Sequence, residues 1–420
     1  MPVIRLFPDA LKSPLIARLS RRGRPASHGR RTLSEAEIDH LAGRILLPSL
    51  PVTDEELARA EFQDRGQRLA RQERWNDLSE AIHHADSVRL ATRGGEPAAW
   101  LMAFGARGDA VAVAEDALFD GVRPAPDGLM ALEEVLSDHP GDYPTALCVA
   151  LAHVDIAEAW RAAPRARGLG DAGERREEAH HHYGRAADIL APHCGLMLGA
   201  PSLAAAQCAL LAAHARSPRQ VADDYERLIT LDPRSPRHMR ALGRTLLPET
   251  GEPFDQLELE ARRTASATQA IWGAGAYTWV FLDALVLDAQ AMGAVDAGFF
   301  TDGLHDILVR HPDQHYANLL AAYCAMALRH HSEAGPAPRQ KIAAGLEWVL
   351  SQHLKELHPL IWTQALHRPG DSKPLPSRRA LVREGRRTAL RAIASVFADD
   401  MADGSSIAFS PAGMYRLPAM

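Results

Sequence analysis

One phrase recurs along this chain and limits what it can fold into: an amphipathic stretch that runs into a proline-containing turn. Leu132, Tyr225 and Leu304 each stand eight residues before a proline, at Pro140, Pro233 and Pro312, and a looser copy places Tyr183 nine residues before Pro192. Proline has no amide to donate inside a helix and its ring clashes with the preceding turn, so each phrase reads as a helix that stops there. The four prolines are 52, 41 and 79 residues apart, close to one, one and two units of about 40. That is the spacing of stacked helical hairpins.

The composition agrees with this reading. Alanine, the best helix former, supplies 74 of 420 residues and aromatics only 6%, whereas a sandwich or barrel needs more β-branched and aromatic side chains. A hydrophobic share of 46% and a charged share of 24% are those of an ordinary globular chain and exclude collagen-like, disordered and membrane-spanning classes. Only four of the 47 basic residues are lysine, which reads as the bias of a GC-rich, bacterial-type genome and says little about arginine-specific recognition. Cys148, Cys194, Cys208 and Cys324 form no C-x-x-C pair, so buried free thiols in a reducing compartment are expected. The first 25 residues contain no uninterrupted apolar core, and the most apolar window, 277–287, contains Asp283 and falls short of the roughly 20 residues of a membrane span. A cytoplasmic protein with no membrane span is the expectation.

Residues 1–31 carry eight basic side chains against Asp9 alone and read as a basic N-terminal arm. Helices are expected to start at Ser34-Glu35-Ala36-Glu37 and Thr53-Asp54-Glu55-Glu56, where a hydroxyl caps the N3 amide and the Glu reaches back. A hairpin is expected from 54 to 88, turning at Glu73-Arg74-Trp75-Asn76-Asp77, and a second turn at Arg107-Gly108-Asp109 between 97–104 and 110–119. The run from Trp272 to Trp279 holds Gly273 and Gly275, without the strand or the Lys-Ser/Thr ending of a phosphate loop; it reads as a turn between helices, with Trp272, Tyr277 and Trp279 as core anchors.

Spacing at four positions sharpens the repeat. Ala179, Tyr183, Ala186 and Pro192, then Val221, Tyr225, Leu228 and Pro233, then Phe300, Leu304, Ile307 and Pro312 follow one pattern, with echoes at Leu242-Gly243, at Leu246 and from Asn318 through Tyr323 to Ala325. This pattern resembles the second helix of tetratricopeptide (TPR) repeats, in irregular copies interrupted by a Gly/Arg-rich insertion at 164–176. The resemblance implies an all-α fold, a right-handed α/α superhelix (solenoid) of irregular TPR-like hairpins. The expected organisation is a basic arm (1–31), a helical repeat domain (32–366, clearest at 54–330), a linker (367–376), a basic C-terminal capping helix (377–401) and a loose tail (402–420).

Candidate chemistry is sparse. Consecutive histidines at 180–182 point about 100° apart on a helix, so useful metal geometry needs i, i+3 or i, i+4 pairs: Glu177 with His180, Glu178 with His181, His311 with His315, His353 with Glu356. A di-metal bundle needs two Glu-x-x-His helices, and only the 177–181 segment offers one. No metal or other cofactor is expected. More informative is 236–247, where Arg237, Arg240 and Arg244 follow i, i+3, i+7 while Met239, Leu242 and Leu246 occupy the opposite face. In a hairpin array the first helix of each unit lines the concave surface, so these arginines with His238 are the expected contacts for another protein or peptide, an acidic one by charge. Asp223, Asp224 and Glu226 are the nearby acids that would otherwise pair with them. The last helix holds six arginines against Glu384 and is expected to dock as a cap. The function expected is a non-catalytic scaffold for protein–protein interaction. The alternatives are a helical-bundle enzyme or metal-dependent protein using Glu177, Glu178, His180 and His181, or a nucleic-acid-associated regulator working through the basic termini, for which no base-reading signature is present.

Overall fold

The computed structural model describes residues 17–18, 33–163, 166–213, 217–248, 253–330, 336–365 and 377–419. The 367–376 linker and all of the basic arm except Ala17 and Arg18 lie outside them. The described chain is mostly helical. In chain order the helices are α1 (Glu35–Ala42), α2 (Asp54–Arg71), α3 (Trp75–Val88), α4 (Ala98–Phe119), α5 (Asp127–Asp138), α6 (Tyr143–Ala162) and α7 (Ala172–Leu190). There follow α8 (Pro201–Ala209), α9 (Pro218–Leu231), α10 (Pro236–Thr245), α11 (Asp255–Ala267), α12 (Gln269–Trp272) and α13 (Gly275–Leu287). The remainder are α14 (Ala291–Ala294), α15 (Ala297–Arg310), α16 (Gln314–His330), α17 (Pro336–Gln352), α18 (Pro359–Gln364) and α19 (Arg378–Val396). No helix among the described residues is long and apolar enough to cross a membrane.

The proline phrases stop helices as their chemistry requires. α5, α7, α9 and α15 each end two residues before Pro140, Pro192, Pro233 and Pro312. The residue ahead of a proline is pushed out of helical backbone by the proline ring. His139 (φ −121°, ψ 61°), Asp232 (−137°, 75°) and His311 (−131°, 73°) accordingly share one conformation. Ala191, ahead of Pro192 in the looser copy, stays helical at −56°, −37°. The extra residue of spacing therefore corresponds to a different turn.

The chain divides into two compact units, one running from Asp54 to Ala284 and the other made of the described residues up to Thr53 and from Leu285 onward. In the first, α6 is deeply enclosed. Every residue from Tyr143 to His153 is buried, and α3, α4, α5, α7 and α8 pack around it. A buried carboxylate ties three of these helices: Asp86 of α3 accepts from the Tyr143 hydroxyl of α6 (3.0 Å) and from the amide (3.2 Å) and hydroxyl of Ser202 on α8. Burial raises its pKa against those hydrogen bonds. α2 and α4 cross so closely that a Cβ on Gly66 would stand 2.0 Å from the Met102 carbonyl oxygen, and one on Gly105 would stand 1.9 Å from that of Gln63.

The turn expected at Arg107-Gly108-Asp109 is absent. α4 runs unbroken through it, because the apolar period continues across Ala103, Ala106, Val111, Ala114 and Leu118, all buried. Arg107 is held by Asp155 of α6 (2.6 Å), and Asp109 by Arg71 (2.6 Å) and Gln67 (2.8 Å) of α2. One mid-helix glycine costs only about 1 kcal/mol, which such packing outweighs. Gly273, at φ +58°, does turn the chain between α12 and α13, and Trp272, Tyr277 and Trp279 are buried as core anchors.

In the second unit four short strands, β1 (Ala17–Arg18), β2 (Ile45–Leu46), β3 (Ser406–Ser410) and β4 (Gly413–Leu417), form a sheet in the order β1-β4-β3-β2. The residues expected to be a loose tail thus make an antiparallel hairpin with Ile407, Ala408, Phe409 and Met414 buried, and β3 pairs in parallel with β2. Ser410, Pro411 and Gly413 mark the turn, while the flanking strands carry Ile407, Phe409 and Tyr415. α19 begins at the Ser377 cap as expected, but ends at Val396, short of the expected bound at 401. It docks on α18, where a Gly385 Cβ would meet the Pro359 carbonyl oxygen at 1.8 Å, and on α1, where Arg391 pairs with Glu35 (3.2 Å) and Asp39 (3.3 Å). Asn318 of α16 spends its whole amide on packing: it donates to the Gln314 and Glu356 carbonyls and accepts from the His358 amide and the Trp362 indole.

Of the four cysteines, Cys148, Cys208 and Cys324 are buried, and burial pushes each thiol up to about 12. Cys194 is exposed, contrary to expectation, because it lies in the α7–α8 connection rather than on a helix face.

Candidate functional site

α10 follows Ser235 with proline at its first position, where the missing amide is not needed. Its apolar side, Met239, Leu242 and Leu246, is buried, as its pattern requires. Gly243 lets α10 approach α13 so closely that a Cβ there would stand 1.9 Å from the Val280 carbonyl oxygen. One turn beyond Val280 lies Asp283, and this approach brings the arginine row to it.

Arg240 grips Asp283 with both arms of its guanidinium, Nη2 to Oδ1 at 2.8 Å and Nε to Oδ2 at 3.2 Å, and Arg244 donates to the same Oδ2. Arg237 donates to Glu96 (3.1 Å) and lies over the Trp100 ring at 4.4 Å. His238 is buried and meets Asp232 at 3.2 Å. The arginines are therefore brought together, and His238 is turned into the packing. The acids that pair with the row are not Asp223, Asp224 and Glu226. Asp224 pairs with Arg227 (3.1 Å) and Glu226 with Arg263 (2.8 Å). Helical spacing from 223–226 does not reach the basic face of α10, whereas the close α10–α13 crossing does.

Burial pushes the Asp283 carboxyl up, but Arg240 and Arg244 outweigh it and hold it below the usual aspartate value. Glu96 is likewise raised by burial and brought below its ordinary value by Arg237, Arg59 and Arg240. Arg59, from α2, hydrogen-bonds no group among the described residues. Four guanidiniums therefore surround two carboxylates, and the side chains of Arg237 and Arg244 remain 32% and 40% exposed. The sequence treated Asp283 only as a break in an apolar window. A lone carboxylate inside an otherwise apolar helix was the available signal, since such a group is buried only with partners. Glu96 and Arg59 carried no such mark.

The 177–182 cluster divides. Glu177 and His180 are exposed, whereas Glu178, His181 and His182 line a cleft of about 510 Å3 between α4, α5, α6 and α7. Arg123 pairs with Glu178 and lies over the Trp160 ring at 5.4 Å. Arg185 donates to Glu133 Oε1 (2.7 Å), His153 Nε2 meets the same oxygen at 3.1 Å, and His153 Nδ1 stands 3.0 Å from His182 Nδ1. Burial lowers both histidine pKa values, that of His182 to about 4 with His153 and His181 adding to the effect. Glu133, His153 and Arg185 went unnoticed because they come from three helices. His353 packs at a tilt against Trp348, and Glu356 turns to His358 (3.1 Å), so that pair is not joined. No group of three His, Cys, Asp or Glu among the described residues is placed to hold a metal ion.

No protein-family model, curated protein or solved structure matches the chain.

Proposed function

We propose that this chain is a non-catalytic scaffold, an irregular TPR-like α/α solenoid working in a reducing, cytoplasmic setting, and that it takes an acidic segment of another protein onto the basic surface around α10. The observation that carries the reading is the gathering of arginines: Arg59, Arg237, Arg240 and Arg244 around Glu96 and Asp283. The internal acids, with the Trp100 ring, fix the guanidiniums in place, so less side-chain freedom is lost when a partner carboxylate arrives. Arg240 keeps its fork on Asp283, while Arg59, Arg237 and Arg244 supply the free donors. The attraction is between partly exposed charges and weakens as salt screens it.

Affinity capture from a native lysate tests this with the double variant Arg59→Glu, Arg244→Gln, which leaves the Arg240 to Asp283 contact in place. The expected result is loss of the captured acidic partner and, for the wild-type chain, release of that partner between low and moderate salt. An unchanged set of captured partners, with the circular dichroism of the variant also unchanged, would remove the α10 surface from consideration.

A further inference from the structure

The α4–α7 cleft lies apart from the α10 surface and differs from it in charge. Arg123 is matched by Glu178 and Arg185 by Glu133, so the lining carries no surplus of either sign. Leu129, Met130, Ile156 and Trp160 supply apolar walls. A volume of about 510 Å3 is in the range of small-molecule sites, which are largely apolar with a few convergent polar groups.

The hydrogen-bond chain across the cleft fixes where the protons sit. Burial pushes the Glu133 carboxyl up, Arg185 and His153 override it, and the group is an ionised acceptor. His153 must then present Nε2–H to it. A neutral His153 carrying its proton on Nε2 has a lone pair on Nδ1, so the 3.0 Å contact requires His182 to donate from Nδ1. His182 is left with a lone pair on Nε2, and that atom has no hydrogen-bond partner among the described residues. Arg185, Glu133 and His153 thus act in series to hold one imidazole in one tautomer.

We propose that this cleft is a second binding site, for an uncharged, flat aromatic molecule whose single N–H or O–H donates to His182 Nε2. Neutral charge follows from the matched ion pairs, the donor from the fixed tautomer, and the flat ring from the planar groups of the lining: the Arg123 guanidinium and the His181 and His182 imidazoles. Protonation of His182 Nε2 turns the acceptor into a donor and abolishes recognition. The titratable and charged groups facing it are His153 from α6, Glu133 from α5, Glu178, His181 and Arg185 from α7, and Arg123 from the α4–α5 connection; α4 contributes only Ala110 and Ala114 to the lining.

The test pairs indole with 1-methylindole and phenol with anisole, followed by the imidazole signals of the full-length protein in NMR titrations. The donors are expected to shift the His182 ring signals saturably and their methylated analogues to bind roughly tenfold more weakly or worse, the scale of one hydrogen bond. His182→Phe should abolish the preference for the donors, and His182→Gln, which restores an acceptor oxygen, should recover part of it. Equal binding of both members of each pair, no response of His182 to either donor, or a preference that survives in His182→Phe would overturn the proposal.

Discussion

The α10 surface and the α4–α7 cleft both bury ionisable groups, but they balance them differently. Around α10, two carboxylates serve four guanidiniums, and the remaining charge faces outward. In the cleft each guanidinium has its own carboxylate, and the titratable centre is a pair of neutral imidazoles. Burial demands pairing in both places. What differs is the remainder, excess positive charge in one and a single fixed lone pair in the other, and that remainder decides what each can receive.

The strongest way to break the contrast is to remove the acid that holds the arginine row. Asp283→Ala takes from Arg240 and Arg244 the buried carboxylate they share, and breaking such a pair costs about 3 kcal/mol or more. Urea unfolding measures it; a loss below about 1 kcal/mol would mean that the arginines swing to water and that Asp283 does not position them. Next comes the crossing. Gly243→Ala should cost about 1–3 kcal/mol through overpacking against the Val280 carbonyl, whereas Gly184→Ala on α7, where an added Cβ meets nothing within 4 Å, should stabilise by about 0.5–1 kcal/mol. Equal effects of the two substitutions would contradict the close approach of α10 to α13.

The smallest effect is in acid. The folded chain refuses protons at His153 and His182 that the unfolded chain accepts near 6.5, so stability is fully present above that pH and declines as the pH falls towards about 4. Glu96 and Asp283 titrate below their ordinary values, so their contribution is lost only as the pH falls through the carboxylate range and below. Acid unfolding followed by circular dichroism should therefore show two regions of pH dependence. The double variant His153→Gln, His182→Gln should lose the upper one and keep the lower.

What was legible in the sequence was local. The proline stops, the Ser34 and Ser377 caps, the start of α2 at Asp54 and the two faces of α10 are set by residues within a few positions of one another, and all are present. What could not be read is long-range. Asp283 and Glu96 lie 43 and 141 positions from the arginines they meet, and Glu133, His153 and His182 come from three helices. Composition misled at two places. A Gly beside charged residues suggested a break in α4, where burial of Arg107 against Asp155 keeps the helix whole, and the Ser, Pro and Gly of 404–413 hid a hairpin.

That hairpin has a consequence for how the chain folds as it is made. Ile45 and Leu46 pair with Ile407 and Ala408, 362 positions later, and α1 packs on α19. During synthesis from the N-terminus the early strand must wait, its edge open, while the whole of 54–284 emerges and has time to fold first. A segment made before 54–284 is therefore completed only after it, which makes 33–53 the stretch where a stalled or truncated translation product presents an unpaired strand to chaperones and proteases.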